Sequence, residues 1–142
     1  MDVLNNILFW LHLTGLALGG AATFGIPIVG SKMMTATAET RPLLFSITHG
    51  LSTIGRAGLA TLIVTGPLMV WLKFGGMTGF TWWFTAKMVL VVLLLVVVIA
   101  SGIFASRAEK GDVAAAKRLP VLGISGIVLL VLIVLCAVFA FN

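Results

Sequence analysis

The chain has 142 residues, of which 61% are hydrophobic and 9% are charged, and its formal net charge is +5. A soluble domain carries about 25% charged residues, so this composition excludes a soluble globular protein and a disordered chain. Nucleic acid is not an expected partner, because the few basic residues lie beside or inside apolar runs and form no wetted basic stripe. The composition therefore predicts an integral membrane protein.

Four apolar segments are long enough to span a bilayer, which takes about 20 residues each. Backbone groups in lipid must be hydrogen-bonded within their own segment, so each segment is predicted to be a helix. The first run is too long for the core of a signal peptide and is predicted to be a retained helix. We expect one transmembrane domain over residues 1–142, with helices at about residues 4–29, 43–72, 81–104 and 120–141.

Residues at the ends of these segments agree with the boundaries. Asp2 suits the cap of the first helix, and Pro42 and Pro120 suit the first turns of the second and fourth. Pro27 and Pro67 lie inside helices and are predicted to bend them without breaking them. Glycines are predicted to break the chain between the second and third helices: Gly75, Gly76 and Gly79.

The basic residues predict the orientation. Lys32 and Arg41 lie in the first connection, Lys73 lies in the second, and the third, a basic loop over residues 105–119, holds four more. The positive-inside rule places the first and third connections in the cytoplasm and both termini outside. The tryptophans agree, since all fall at the predicted outer face, where indole rings favour the headgroup level: Trp10, Trp71, Trp82 and Trp83.

Short connections make neighbouring helices antiparallel. The predicted fold class is therefore all-α, an integral membrane up-down four-helix bundle with its termini outside. For a bacterial chain the location would be the inner membrane.

Ionisable residues inside the predicted spans are the candidates for a functional site, because charge in lipid is costly. They are His12, His49, Arg56 and Lys87. His49 and Arg56 are seven residues apart and share one helical face. With Thr53 and Ala60 they are expected to form a polar groove turned into the bundle.

No carboxylate within the spans can pair with Arg56 or Lys87. The acidic residues lie at a terminus or in connections: Asp2, Glu39, Glu109 and Asp112. Either the two cations bind an anionic ligand, such as a porphyrin propionate, a lipid phosphate or a polar cofactor head, or they serve the helices alone. In the second case Lys87 snorkels to water and Arg56 caps carbonyls freed by a proline bend.

Imidazole is a common axial ligand of haem iron. In a hairpin of the first two helices, His12 and His49 are about 20 Å apart along the axis at 1.5 Å per residue, so one chain cannot place both on one iron. His12 alone remains a candidate ligand. Gly15 and Gly19 lie one and two turns further on its face. They either leave room for a porphyrin ring or allow a helix of this chain or of a second copy to pack closely.

Three segments resemble the HemJ family. Residues 10–15, followed by small residues as far as Lys32, are similar to the first helix of that family. Residues 58–66 with Trp71 are similar to its second helix, and residues 83–91, an aromatic run leading to Ala86 and Lys87, to its third. Members are four-helix bacterial membrane proteins linked to oxidation of protoporphyrinogen IX and to b-type haem.

The resemblance implies that His12 ligates haem b and that Lys87 is a catalytic base or a propionate partner. This chain has Thr81 where the family tends to carry an arginine. Arg56 is a possible substitute from the neighbouring helix. The departure favours a haem-binding relative over a working porphyrinogen oxidase.

Two functions remain. The first is a haem b redox protein that oxidises a tetrapyrrole or passes electrons to quinone. The second is a non-catalytic accessory or packing subunit of a larger membrane complex, in which glycines and histidines serve helix contacts. Membrane lipids and a homodimer or larger complex are the expected partners, and across a dimer interface His49 becomes a possible ligand. A transporter is disfavoured, because four helices with short connections leave little room for alternating access.

Overall fold

The computed structural model describes residues 2–74 and 82–141. Within those ranges the chain is all-α, as predicted, and forms four helices without a strand. They are α1 (Asp2–Met33), α2 (Arg41–Phe74), α3 (Trp82–Glu109) and α4 (Val113–Phe141). The predicted beginning of the third helix at Thr81 and the predicted break at residues 75, 76 and 79 lie outside the described residues.

All four helices are long and apolar enough to cross a membrane. α1 has 32 residues and α2 has 34, which gives lengths of about 50 Å at 1.5 Å per residue. A hydrocarbon core is about 30 Å thick, so the end turns of these helices would lie among the headgroups. The helices indicate a multi-pass membrane protein, in agreement with the composition.

Contacts divide the chain, predicted as one domain, into two compact units, Met1–Gly79 and Phe80–Asn142. The first unit is a hairpin of α1 and α2, and the second is a hairpin of α3 and α4. Each hairpin has its own closely packed seam, so each is described by itself.

Glycines bring α1 and α2 together. A Cβ atom placed on Gly58 would lie 2.7 Å from the carbonyl oxygen of Gly15, and one placed on Gly55 would lie 2.6 Å from the Cβ of Ala22. Further along α1, a Cβ on Gly25 would contact Leu51. Residue numbers fall along α2 as they rise along α1, so the two helices are antiparallel, as predicted.

The ends of the first hairpin follow the predicted signals. Pro42 lies in the first turn of α2, where the carbonyl oxygen of Thr40 accepts a hydrogen bond from the backbone N–H of Leu44 at 3.2 Å. α1 and α2 continue through Pro27 and Pro67. The prediction that these two prolines do not break their helices is confirmed.

The second hairpin is antiparallel as well. Trp83 of α3 stacks on Phe139 of α4, with ring centroids 5.1 Å apart. At the other end of the pair, the guanidinium of Arg118 lies 5.6 Å from the centre of the Phe104 ring. Aromatic contacts therefore join α3 and α4 at both ends.

The predicted extent of the third connection, residues 105–119, is wrong, because only residues 110–112 separate α3 from α4. Gly111 has a φ of +94°, and the N–H groups of Gly111 and Asp112 bond back to the carbonyls of Ala108 and Arg107. This is the Schellman end of a helix, which favours glycine at the left-handed position. Hydropathy marks only the lipid-embedded part of a helix, whereas α3 and α4 continue through polar residues beyond it.

Pro120 was predicted to lie in the first turn of α4. That prediction is wrong, because Pro120 lies inside the helix. Asp112 accounts for the earlier start, since its Oδ1 accepts a hydrogen bond from the backbone N–H of Ala115 at 3.2 Å. A carboxylate that satisfies an otherwise unpaired N–H of the first turn is a strong helix start signal.

Candidate functional site

His12 of α1 is hydrogen-bonded across the first hairpin. Its Nδ1 lies 2.8 Å from the Oγ1 of Thr65 on α2. Thr65 is 3% exposed, and its hydroxyl in turn donates to the backbone carbonyl of Thr61 at 2.7 Å. The imidazole, the hydroxyl and the carbonyl form a short chain of hydrogen bonds in the seam between α1 and α2.

The roles of donor and acceptor between His12 and Thr65 depend on the tautomer of the imidazole. A threonine hydroxyl has one proton; when Thr65 donates it to the carbonyl of Thr61, the Thr65 oxygen accepts from Nδ1–H of His12. In the neutral ring the lone pair then lies on Nε2. Metal-binding histidines are held in the same way, since one ring nitrogen donates to a protein acceptor and the other binds the metal. His12 therefore fits an axial ligand of haem.

Glycines lie beside the imidazole on α2 and one turn further along α1. A Cβ on Gly66 of α2 would lie 3.7 Å from the Cε1 of His12, which is ordinary contact distance. On α1, a Cβ on Gly15 would lie 2.9 Å from the carbonyl oxygen of Gly58. Gly15 therefore allows α2 to approach closely. Of the two roles expected for it from the sequence, this is close helix packing.

Gly19 differs from Gly15. Among the described residues, no atom lies within 4 Å of a Cβ placed there. Gly19 lies seven residues after His12, and residues seven apart share a helical face. Of the two glycines predicted to leave room for a ring, Gly19 is the one beside open space.

Arg56 and His49 lie on the face of α2 that does not pack on α1. Both are exposed, as are Thr53 and Ala60, because the side of α2 that packs on α1 is formed by other residues, among them Gly58 and Thr65. Arg56 is nine residues from Thr65, which places it on the opposite face of α2 and about 13 Å away along the axis. The face that carries Arg56 is therefore turned away from α1, and the expected groove turned into the four-helix bundle stays a prediction.

The guanidinium of Arg56 bonds within its own helix. One Nη2–H donates to the Oγ of Ser52 at 3.1 Å. Over the part of the chain that the structure describes, Arg56 donates to no backbone carbonyl. The sequence left two interpretations of Arg56, an anionic ligand or the capping of carbonyls freed by a proline bend. Within these residues, Arg56 caps no such carbonyl.

Lys87 belongs to the second hairpin, in α3. It is half-buried and lies one turn beyond Phe84, whose side chain is 5% exposed. Within residues 2–74 and 82–141, no group of three or more His, Cys, Asp and Glu side chains could hold a metal ion.

A cavity of about 370 Å³ opens near the beginning of α1. It is lined by Asp2, Asn5, Asn6 and Phe9, and by Met69 of α2. Phe9 is one helical turn before His12, but His12 does not line the cavity. This volume is at the small end for ligand sites, and its polar lining is suited to water at the predicted outer surface.

Sequence reasoning found His12 but missed Thr65 and Thr61. Both threonines lie on the side of α2 that faces α1, four residues apart. The available signal was the hairpin register, which places a threonine of α2 level with His12. α2 has six serines and threonines, so the register was needed to select this one.

Comparisons with protein-family models, curated proteins and solved structures find no match for this chain. The resemblance to the HemJ family stays a prediction from the residues that carry it. What the chain binds is therefore inferred from the geometry around His12 and from the chemistry of the helices.

Proposed function

We propose that the chain is a haem b-binding redox protein of the bacterial inner membrane, with His12 as the axial ligand. The hydrogen bond between His12 Nδ1 and Thr65 Oγ1 carries the proposal, because metal-binding histidines are oriented by a protein group at their other ring nitrogen in the same way.

The other candidate site residues support a porphyrin ring beside His12 to different degrees. A Cβ on Gly19 would meet no atom within 4 Å, so there is open space on that side of α1 on the face of His12. Lys87 is the proposed propionate partner or base, as the family resemblance implies. Arg56 and His49 are disfavoured for the same haem, because their side chains are on the opposite face of α2 from Thr65.

When bound, haem would supply one-electron transfer, with a tetrapyrrole or quinone as the reaction partner. The chain's own contribution is positional. Thr65 orients the imidazole through its hydroxyl, and the hydroxyl of Thr65 is held by the carbonyl of Thr61.

The test is the visible spectrum of the purified protein, oxidised and then reduced with dithionite. We expect a Soret band and sharp reduced α and β bands. His12→Ala removes them, whereas His49→Ala, a matched loss of imidazole from the exposed face of α2, retains them. A His12→Ala protein with a full complement of haem would show that the proposal is wrong.

A second function, an accessory or packing subunit, is favoured by a different observation. The close approach of Gly15 to Gly58 explains the glycine at position 15 by helix packing. In that case the wild-type protein is colourless at adequate haem supply, and porphyrinogen oxidation is absent from the purified chain. A single spectrum therefore separates the two functions.

A further inference from the structure

The exposed face of α2 carries polar groups at the depth where lipid is driest. The α2 polar face consists of His49, Ser52, Thr53, Arg56 and Ala60; all but the half-buried Ser52 are exposed. Arg56 lies 15 residues from both Arg41 and Trp71, the polar and aromatic residues near the two ends of the helix. Its Cα is therefore about 22 Å from each of those levels at 1.5 Å per residue, at the middle of the span.

A guanidinium at that depth needs an anion. It has five N–H donors, and over the described residues only one hydrogen bond, to Ser52, is formed. Charged groups in the middle of a membrane are costly and pair with other groups inside the protein or at an interface. Bidentate pairing with a carboxylate is the arrangement that best fits the planar guanidinium.

This chain cannot supply the carboxylate. Its four acidic residues are at a terminus or near helix ends: Asp2, Glu39, Glu109 and Asp112. A second copy, in either orientation across the membrane, places the same residues near the surfaces. Lipid phosphates lie beyond a hydrocarbon half-thickness of about 15 Å, farther than an extended arginine side chain reaches.

We propose that the α2 polar face binds a transmembrane helix of a partner protein that carries an Asp or Glu near the middle of the bilayer. Charge complementarity selects this occupant. The other residues of the face are suited to it, because Ser52, Thr53 and Ala60 are small and allow a helix to approach closely. The hydroxyl of Thr53 is already bonded to the carbonyl of His49 at 3.0 Å and needs no partner.

The surface is independent of the haem proposal, since it lies on the face of α2 away from His12. The test uses photocrosslinking of the full chain in its native membrane. A benzophenone amino acid replaces Ala60 on the face, and a control places the same group at Val96, which is 59% exposed near the middle of α3. The crosslinked peptide is identified by mass spectrometry.

We expect Ala60 to give one protein adduct that Val96 does not, in a transmembrane segment containing Asp or Glu. Arg56→Gln should lower its yield at least about tenfold, as for loss of one member of a buried charge pair, and Arg56→Lys should lower it less. Arg56→Glu should abolish the adduct, and exchange of the partner's carboxylate for Arg should restore it.

Several results would overturn the proposal. They are adducts only with lipid or with this chain, a partner segment without a carboxylate, or a yield unchanged in Arg56→Gln. Loss of bound haem in Arg56→Gln without any protein adduct would assign Arg56 to a propionate instead. The absorption spectrum of each variant reports on haem separately, so failure of this proposal is distinguishable from failure of the haem site.

Discussion

A hydroxyl, rather than a carboxylate, orients His12. A carboxylate partner would fix the tautomer more firmly, but it would bring a charge into the apolar seam between α1 and α2, where charge is costly. Thr65 avoids that cost because it is neutral, and its hydroxyl is also hydrogen-bonded to the carbonyl of Thr61 in its own helix. The orientation of the imidazole therefore depends on a neutral group that is 3% exposed.

Thr65→Val is expected to weaken haem binding by about 10- to 100-fold, the usual effect of losing the group that orients a metal ligand. Valine has nearly the same shape, so the change removes the acceptor and little packing. Titration of the purified apoprotein with haem, followed by absorbance, gives the affinity.

Thr61→Val is the matched control for that variant. It makes the same exchange one turn earlier, where the side-chain hydroxyl bonds to the carbonyl of Ala57 and only the main-chain carbonyl serves Thr65. Equal affinities in the two variants would show that the Thr65 hydroxyl does not orient a haem ligand.

Residue chemistry was more predictable than residue orientation. His12 and Arg56 stand out from the sequence because ionisable groups in apolar runs are rare. Which way each one faces was not readable, because α2 has small and polar residues on opposite sides. The face that carries Arg56 is turned away from α1, and the seam is formed by Gly58 and Thr65 instead.

At the scale of the helix pair, backbone contact controls the first hairpin. A Cβ on Gly58 would lie 2.7 Å from both the carbonyl oxygen of Gly15 and the backbone nitrogen of Gly19. No flexible side chain is available there to move aside. α1 and α2 would have to separate to admit one methyl group.

Gly58→Ala is therefore expected to lower the free energy of unfolding of the hairpin by about 1–3 kcal/mol, the usual cost of overpacking. Gly19→Ala is the control, because its methyl group meets open space, and alanine favours a helix over glycine to the same degree in both variants. Thermal unfolding in detergent, followed by circular dichroism, measures the difference. Equal midpoints for the two variants would contradict the contact.

Helix number was predictable from hydropathy, and helix ends were predictable only in part. Pro42 marks the start of α2 as expected. The short connection after α3 carried a readable signal as well, because Gly111 followed by Asp112 combines a helix stop with a helix start. The signal was hidden within a basic segment that resembles a loop by charge alone.

For the molecule as a whole, charge and aromatic residues make one consistent prediction of orientation. Three of the tryptophans that mark the predicted outer face are strongly exposed, as expected of side chains at the headgroup level: Trp10, Trp71 and Trp82. The excess of Lys and Arg is at the other ends of the helices. Both termini are therefore expected outside.

Single cysteines at two exposed positions test this orientation. A membrane-impermeant maleimide should label Val3→Cys in intact cells, whereas Met34→Cys, in the first connection, should react only after permeabilisation. Val3 is 73% exposed and Met34 is 82% exposed, so access within the protein is equal. The native Cys136 is buried in α4. Labelling of Met34→Cys in intact cells would reverse the predicted topology.

The three-residue turn between α3 and α4 has a consequence for how the chain is made. α4 begins at Val113, and only three residues separate it from the end of α3. A connection this short keeps α4 next to α3, so α3 has little time to insert into the membrane before α4 is made. During synthesis, at about 5–20 residues per second, α4 would follow α3 within seconds. The two helices would then enter the membrane as one unit, with their basic turn left on the ribosome side.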